Sequence, residues 1–335
     1  MSRPRFAPGS TVVFRVKNRS GKKPLATYLG SRLGVVDAWA DDLIASGHVD
    51  VDGVPARSGD RINLSAGPHA ITVRFPLAWP RHMAATEMPL DVLHEDKCIV
   101  VLNKPAGTVV HPARGHLDNR SLQNGVRHRY RHLLGMDHIT IGSPHRLDKD
   151  TSGVIVFAIT RAAYVALVDQ FSSGRPHKEY LAVVDGIPAF GETVCELPLG
   201  VDPGRKGCGT VLPAEAGGKT ARTDFTVLER GAGWALVRAV PHTGRPHQIR
   251  IHAAALGIPL AGDAEYNPVP GRLGFRRQAL HAHALSFPHP ETGTPLRIEA
   301  PTPPDMLEGL ATLRTARPAG TDAGAPPPGG RAEES

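Results

Sequence analysis

Cysteine is scarce in this chain: Cys98, Cys195 and Cys208 are the only three among 335 residues. An odd number at wide, irregular spacing argues against a disulfide framework and offers no zinc-ligand pattern. Each therefore reads as a small buried apolar residue or an idle thiol. Long apolar runs are missing too. No stretch of about 18 apolar residues occurs, which removes a membrane-spanning helix. The opening Met1-Ser2-Arg3-Pro4-Arg5-Phe6 is basic but leads into Ala-Pro-Gly, not an apolar segment. No signal peptide is readable, and a cytoplasmic protein is expected. Internal repeats are absent, and the glycines follow no G-X-Y period, so a collagen-like rod is excluded.

Against these absences stand many turn formers and a basic excess. Gly 36 and Pro 31 together make up about a fifth of the chain. Apolar residues at 41% and charged residues at 21% are those of a folded globular protein, long enough at roughly 150 residues per domain for about two domains. Lys and Arg number 39 against 32 Asp and Glu, a net charge of +7 with a pI of about 9.5. A polyanion is the first partner to test.

Residues 1–80 read as a small module. Leu25, Tyr28, Leu29 and Leu33 fall at helical spacing, and Trp39, Leu43 and Ile44 line a second short helix that Ser46-Gly47 stops. His48-Val49-Asp50-Val51 alternates into an Asp52-Gly53 turn, which predicts a strand and hairpin. Two more alternating strands are expected over 59–64 and 69–75. Residues 76–90, with three prolines and Trp79, read as a linker. A larger second portion is expected over 90–315, and 316–335 as a disordered tail with little to bury. Within 90–315, runs at 98–102, 153–158, 180–184 and 234–240 predict strands. Helices are expected at 161–171, with Tyr164, Leu167, Val168 and Phe171 on one face, and at 247–256. Many strands, few helices and no βαβ alternation imply an α+β fold with a mixed or antiparallel sheet.

Two clusters concentrate reactive side chains. His145-Arg146-Leu147-Asp148-Lys149-Asp150-Thr151-Ser152-Gly153 crowds acids and bases onto a loop entering a buried strand, where catalysis often sits. A solvated turn, its aspartates capping amides, is the plain alternative. The second cluster is Thr243-Gly244-Arg245-Pro246-His247-Gln248-Ile249-Arg250-Ile251-His252. On a helix His247 and His252 diverge by roughly 140°, and on a strand they point to opposite faces, so neither geometry makes them a metal pair. Arg250 stands among apolar neighbours, where a charge needs a partner unless it snorkels to solvent. Asp148 is the carboxylate this reading assigns to it.

The first cluster resembles the signature of the RluA-type pseudouridine synthases. The likeness extends in family order from Glu95-Asp96 and Lys104-Pro105-Ala106-Gly107 with His111-Pro112, through Lys178-Glu179-Tyr180 and the arginine segment. Gly262-Asp263-x-x-Tyr266, Leu280-His281-Ala282 and His289-Pro290 complete it. One departure is Pro246, where the family carries threonine. Asp42-Leu43-Ile44 through Gly59-Asp60 is similar to an S4-type RNA-binding domain. The resemblance implies a pseudouridine-synthase-like α+β catalytic domain behind a small S4-like module. It implies Asp148 as the catalytic aspartate, Tyr180 as the ring that stacks on the target base, and Arg250 as the arginine paired with Asp148. Arg146 would help displace the target nucleotide. His145, Lys104, Arg245, His247 and Arg32 are further expected RNA contacts. RNA is the implied partner, ribosomal RNA before transfer RNA, with no metal or organic cofactor and no obligate protein partner. Monomer is the default. The rival readings are an idle RNA-binding or assembly factor on the same fold, and a hydrolase pairing Asp148 with Asp150.

Overall fold

The computed structural model describes residues 9–16, 21–33, 37–65, 68–75, 85–111, 120–133, 141–205 and 208–315. The expected tail at 316–335 lies outside them, as does most of the expected linker. The chain divides into two compact units, Met1–Tyr180 with His281–Pro301, and Leu181–Leu280 with Thr302–Ser335.

The first unit begins with β1 (Thr11–Val16), β2 (Lys22–Pro24), α1 (Leu25–Leu33), α2 (Asp37–Ala45), β3 (Val49–Val51), β4 (Val54–Pro55), β5 (Arg61–Asn63) and β6 (His69–Arg74). The strands form a sheet of order β1–β6–β3–β4 and a separate β2–β5 pair. Leu25, Leu29, Leu43, Ile44, Val49, Ile71 and Val73 make the core of this segment, with Tyr28 and Leu33 partly buried against it, while the expected Trp39 contact lies outside the described side chains. Helix α2 ends as expected. The amide of His48 donates to Leu43 and that of Gly47 to Ile44, with Gly47 at φ +74°, a Schellman stop. Asp52 and Gly53 both have positive φ, as a two-residue I′ hairpin between β3 and β4 requires.

The same unit continues with β7 (Val92–Glu95), β8 (Ile99–Lys104), α3 (Leu122–Arg129), β9 (Ser152–Ala158), α4 (Arg161–Ser172) and the start of β10 (His177–Asp185). The second unit holds the rest of β10, β11 (Glu192–Cys195), β12 (Leu199–Val201), β13 (Gly209–Val211), β14 (Thr223–Gly231), β15 (Trp234–Pro241) and α5 (Gln248–Ala255). The chain then returns through β16 (Leu280–Pro288) and β17 (Pro295–Glu299), and α6 (Pro304–Thr315) closes the second unit.

In the first unit β7, β8 and β9 run antiparallel, β9 and β16 parallel, and β16 and β17 antiparallel. In the second, β11, β14 and β15 are antiparallel neighbours, with β10 beside β15. The sheets are mixed and antiparallel, the α+β class expected. All seven residues of β9 are buried, which is why its β-branched run shows no alternation. Each such Val, Ile or Phe contributes about 1.5–3 kcal/mol by leaving water, making β9 a rigid base for the loop before it. Helix α4 departs from expectation in one residue. Its buried stripe is Ala163, Leu167 and Gln170, flanked by Tyr164 and Phe171, while Val168 is 40% exposed. No helix among the described residues is long and apolar enough to cross a membrane.

Candidate active site

The loop carrying Asp148 is held at several points by the first unit. At its exit, Gly153 adopts φ +115° and lies against β16, where a Cβ would drive into the backbone carbonyl of Ala282. Only glycine fits there. Beside it, Ser152 Oγ lies 3.0 Å from His281 Nδ1, and His281 Nε2 lies 3.3 Å from the Ala300 carbonyl. A carbonyl can only accept, so Nε2 carries the proton and the serine hydroxyl donates to Nδ1. Within the loop, the amide of Thr151 donates to the Asp148 carbonyl at 3.1 Å.

Lys104 clamps the middle of the loop. Its side chain is 0% exposed, and Nζ donates to the carbonyls of Lys149 at 2.7 Å and Pro105 at 2.9 Å. The amide of Gly107 donates to the same Lys149 carbonyl. Lys104 was expected to contact RNA, and the structure corrects this: a fully buried ammonium spent on backbone oxygens cannot reach a phosphate. His145, also expected to contact RNA, is half-buried and held by its neighbours. Its ring stacks on Phe171 with centroids 4.6 Å apart, and Nε2 accepts the amide hydrogen of Val156 at 3.2 Å. Burial, reinforced by the charges of Lys178 and His111, pushes its pKa down to about 3. His145 is a neutral anchor of the loop.

Arg146 is exposed, whereas Asp148 and Asp150 are half-buried. Tyr180, on β10, packs on the cluster of Leu102, Leu147 and Ile155. Its phenol is raised well above the ordinary value by burial and then by the nearby charge of Asp148. The structure thus brings together a carboxylate and an aromatic ring that stand 32 positions apart in the chain.

In the second unit, Arg250 is 5% exposed on α5. Its Nε and Nη2 donate to the two carboxylate oxygens of Asp263, each at 2.7 Å, and Nη2 also meets Glu265 at 2.8 Å. The Tyr266 ring lies 5.0 Å from the guanidinium. Neither Asp263 nor Glu265 was singled out as a partner from the sequence, although the Gly262-Asp263-x-x-Tyr266 spacing places both just beyond the helix. His247 caps α5 at φ +54°, with Nδ1 2.9 Å from the Tyr266 hydroxyl. Arg245 donates through Nε to the Thr220 carbonyl, and His252 is buried between Thr223 and the Leu197 carbonyl. On α1, Arg32 is exposed and donates to the Tyr28 hydroxyl.

Asp96, Cys98 and His289 form a group of metal-ligating types, with donor atoms all within 4.8 Å. His289 Nδ1 accepts amide hydrogens from Glu291 and Thr292, so Nε2 bears the proton and donates to Asp96 at 3.0 Å. A metal-bound histidine needs the opposite tautomer. The group is a hydrogen-bond cluster.

Residues 98–255 match the family model described as RNA pseudouridylate synthase. The chain is 38% identical over 280 residues to the uncharacterized RNA pseudouridine synthase YlyB of Bacillus subtilis, covering 83% of this chain and 88% of the relative. It is 38% identical over 283 residues to the ribosomal large subunit pseudouridine synthase D of Xanthomonas campestris pv. campestris, covering 81% and 82%. Among solved structures, the human RNA pseudouridylate synthase domain containing 4 is similar at a TM-score of 0.55 and 26% identity, over 68% of this chain and 94% of that one.

Proposed function

We propose, for a chain that belongs to the RNA pseudouridylate synthase family and is an RNA pseudouridine synthase, that its substrate is ribosomal RNA and that Asp148 carries the reaction. The pinned loop is the observation that supports this most: Asp148 is half-buried beside Tyr180, on a segment fixed by Lys104 and Gly153. Several relatives bear the name ribosomal large subunit pseudouridine synthase D, which supports the ribosomal target.

The reaction breaks the bond between uracil N1 and C1′ of the ribose, turns the base, and joins C5 to C1′. The C5 hydrogen leaves as a proton and N1 gains one, so nothing is oxidised or reduced. The target uridine must first leave its stack, because those atoms are otherwise out of reach. In this reading Tyr180 stacks on the extruded base, worth about 1–3 kcal/mol, and Arg146 occupies the space it leaves. Asp148 acts as nucleophile or base, and Arg250 is its cationic partner, an assignment that rests on the sequence match. The exposed Lys22, Lys23 and Arg32 of the S4-like module touch phosphates, and the protein works in the cytoplasm.

Asp148→Asn tests the central assignment. The amide keeps the carboxylate's shape and loses its charge and nucleophilicity. Folding and RNA affinity should stay near wild type while pseudouridine formation on ribosomal RNA disappears. Pseudouridine mapping of cellular RNA with and without the protein identifies the target. Turnover by the purified Asn variant above a blank would falsify the role of Asp148.

A further inference from the structure

The guanidinium of Arg250 is held side-on. Asp263 takes Nε and Nη2, one on each carboxylate oxygen, and that carboxylate is itself 0% exposed. Asp263 Oδ1 also accepts the amides of Glu265 at 3.0 Å and Tyr266 at 3.2 Å, so the carboxylate cannot swing without opening its own turn. Tyr266 lies against the guanidinium and ties back to the start of α5 through His247 Nδ1. An unbranched side chain with about 2 kcal/mol of rotamer entropy is thereby locked at Nε and Nη2.

We propose that Asp263 is a positioning residue for pseudouridine formation: it fixes the direction in which Arg250 presents its charge to the reaction. The inference rests on the reading of Arg250 as the arginine of the active site. Backbone placement of α5 does not depend on this pair. The helix start is fastened separately by Gln248, whose Oε1 accepts from the Thr243 hydroxyl and the Arg245 amide, and whose Nε2 donates to the Arg222 carbonyl and Thr223 Oγ1. Asp263 therefore acts chiefly on where the guanidinium points. Glu265, whose side chain is 40% exposed, adds a second carboxylate at Nη2 but no bidentate grip.

Asp263→Asn isolates that action. Its side-chain oxygen can still accept the Glu265 and Tyr266 amides, so the turn survives. The NH2 group set against Arg250 opposes donor to donor, while Glu265 keeps the buried cation paired. The measurement is kcat and KM on target RNA, with thermal melting of the same samples. The expected result is a kcat lower by about 10- to 100-fold, the range for a small misplacement of a reacting group. KM for RNA should change by less than about 2-fold, since a uniform binding loss would raise KM and leave kcat alone. Melting should fall, because a buried ion pair loses one of its charges, so kinetics are read where the variant is fully folded. A variant with wild-type kcat overturns the proposal, and so does a loss that appears wholly in KM.

Should Asp263→Asn melt below the assay temperature, both proteins are assayed at a lower temperature at which the variant stays folded, and an unchanged kcat there overturns the proposal. Wild-type protein and Asp148→Asn are assayed in parallel. An inactive wild type would defeat the functional reading itself. An active wild type, an inactive Asp148→Asn and a fully active Asp263→Asn would defeat this inference alone.

Discussion

Gly153→Ala should be among the most damaging single-atom additions in the first unit. Two independent costs meet at this position. The backbone sits at φ +115°, a region that L-residues occupy only at about 1–3 kcal/mol. The new Cβ also runs into the Ala282 carbonyl, whose residue pairs with Gly153 in the parallel register of β9 and β16. No side chain can rotate to relieve a clash with backbone, so the strands must separate, and overpacking of this kind costs about 1–3 kcal/mol more. The sum is about 2–6 kcal/mol, or on the order of 10 °C in melting temperature for a unit of this size. Gly174→Ala is the matched control. It has φ +73° with nothing within 4 Å of its Cβ, so backbone strain alone applies, at about 1–2 kcal/mol. Thermal melting of both variants by circular dichroism, with pseudouridine formation measured alongside, makes the comparison. Gly153→Ala should lose more stability than the control and more activity than its stability loss explains, because Ser152 and the Asp148 loop move with it. Equal destabilisation of the two variants would refute the close-packing argument.

Acid stability offers a second check. His145 has its folded pKa depressed to about 3 from 6.5, so below pH 6.5 the unfolded chain binds the extra proton and stability falls as pH drops toward about 3. His145→Gln should flatten that loss by up to about 1.4 kcal/mol per pH unit, read from denaturation curves between pH 6.5 and 4. An unchanged slope would mean His145 is not buried neutral. Deleting residues 1–80 should leave a soluble catalytic portion that binds target RNA more weakly. Its log–log salt slope should be shallower by about 0.7–0.9 per lost phosphate contact. A lowered melting point with an unchanged slope would show that the module packs and does not bind.

Much of this protein was legible in the sequence because the features concerned are set by neighbours in the chain. The helix at 25–33 follows from apolar spacing, the Asp52-Gly53 hairpin from residues that tolerate positive φ, and the end of α2 from Gly47. The strands at 99–104 and 152–158 follow from β-branched runs too short for helices. Family membership was legible as well, through reactive residues in fixed order around Asp148. Tertiary structure decided which charged side chains are free to meet a substrate. Lys104 and His145 look like RNA contacts in a basic sequence. Nothing local discloses that Lys104 is buried against a carbonyl 45 residues away, or that His145 lies on Phe171. Asp263 and Glu265 were missed as partners of Arg250 for the same reason, since the sequence reading offered only Asp148 for a buried arginine whose nearest carboxylates lie beyond the helix. Hydrogen bonds act over about 3 Å of space whatever the separation along the chain, so only the folded backbone could bring Asp263 to Arg250 and the carbonyl of Ala282 against Gly153.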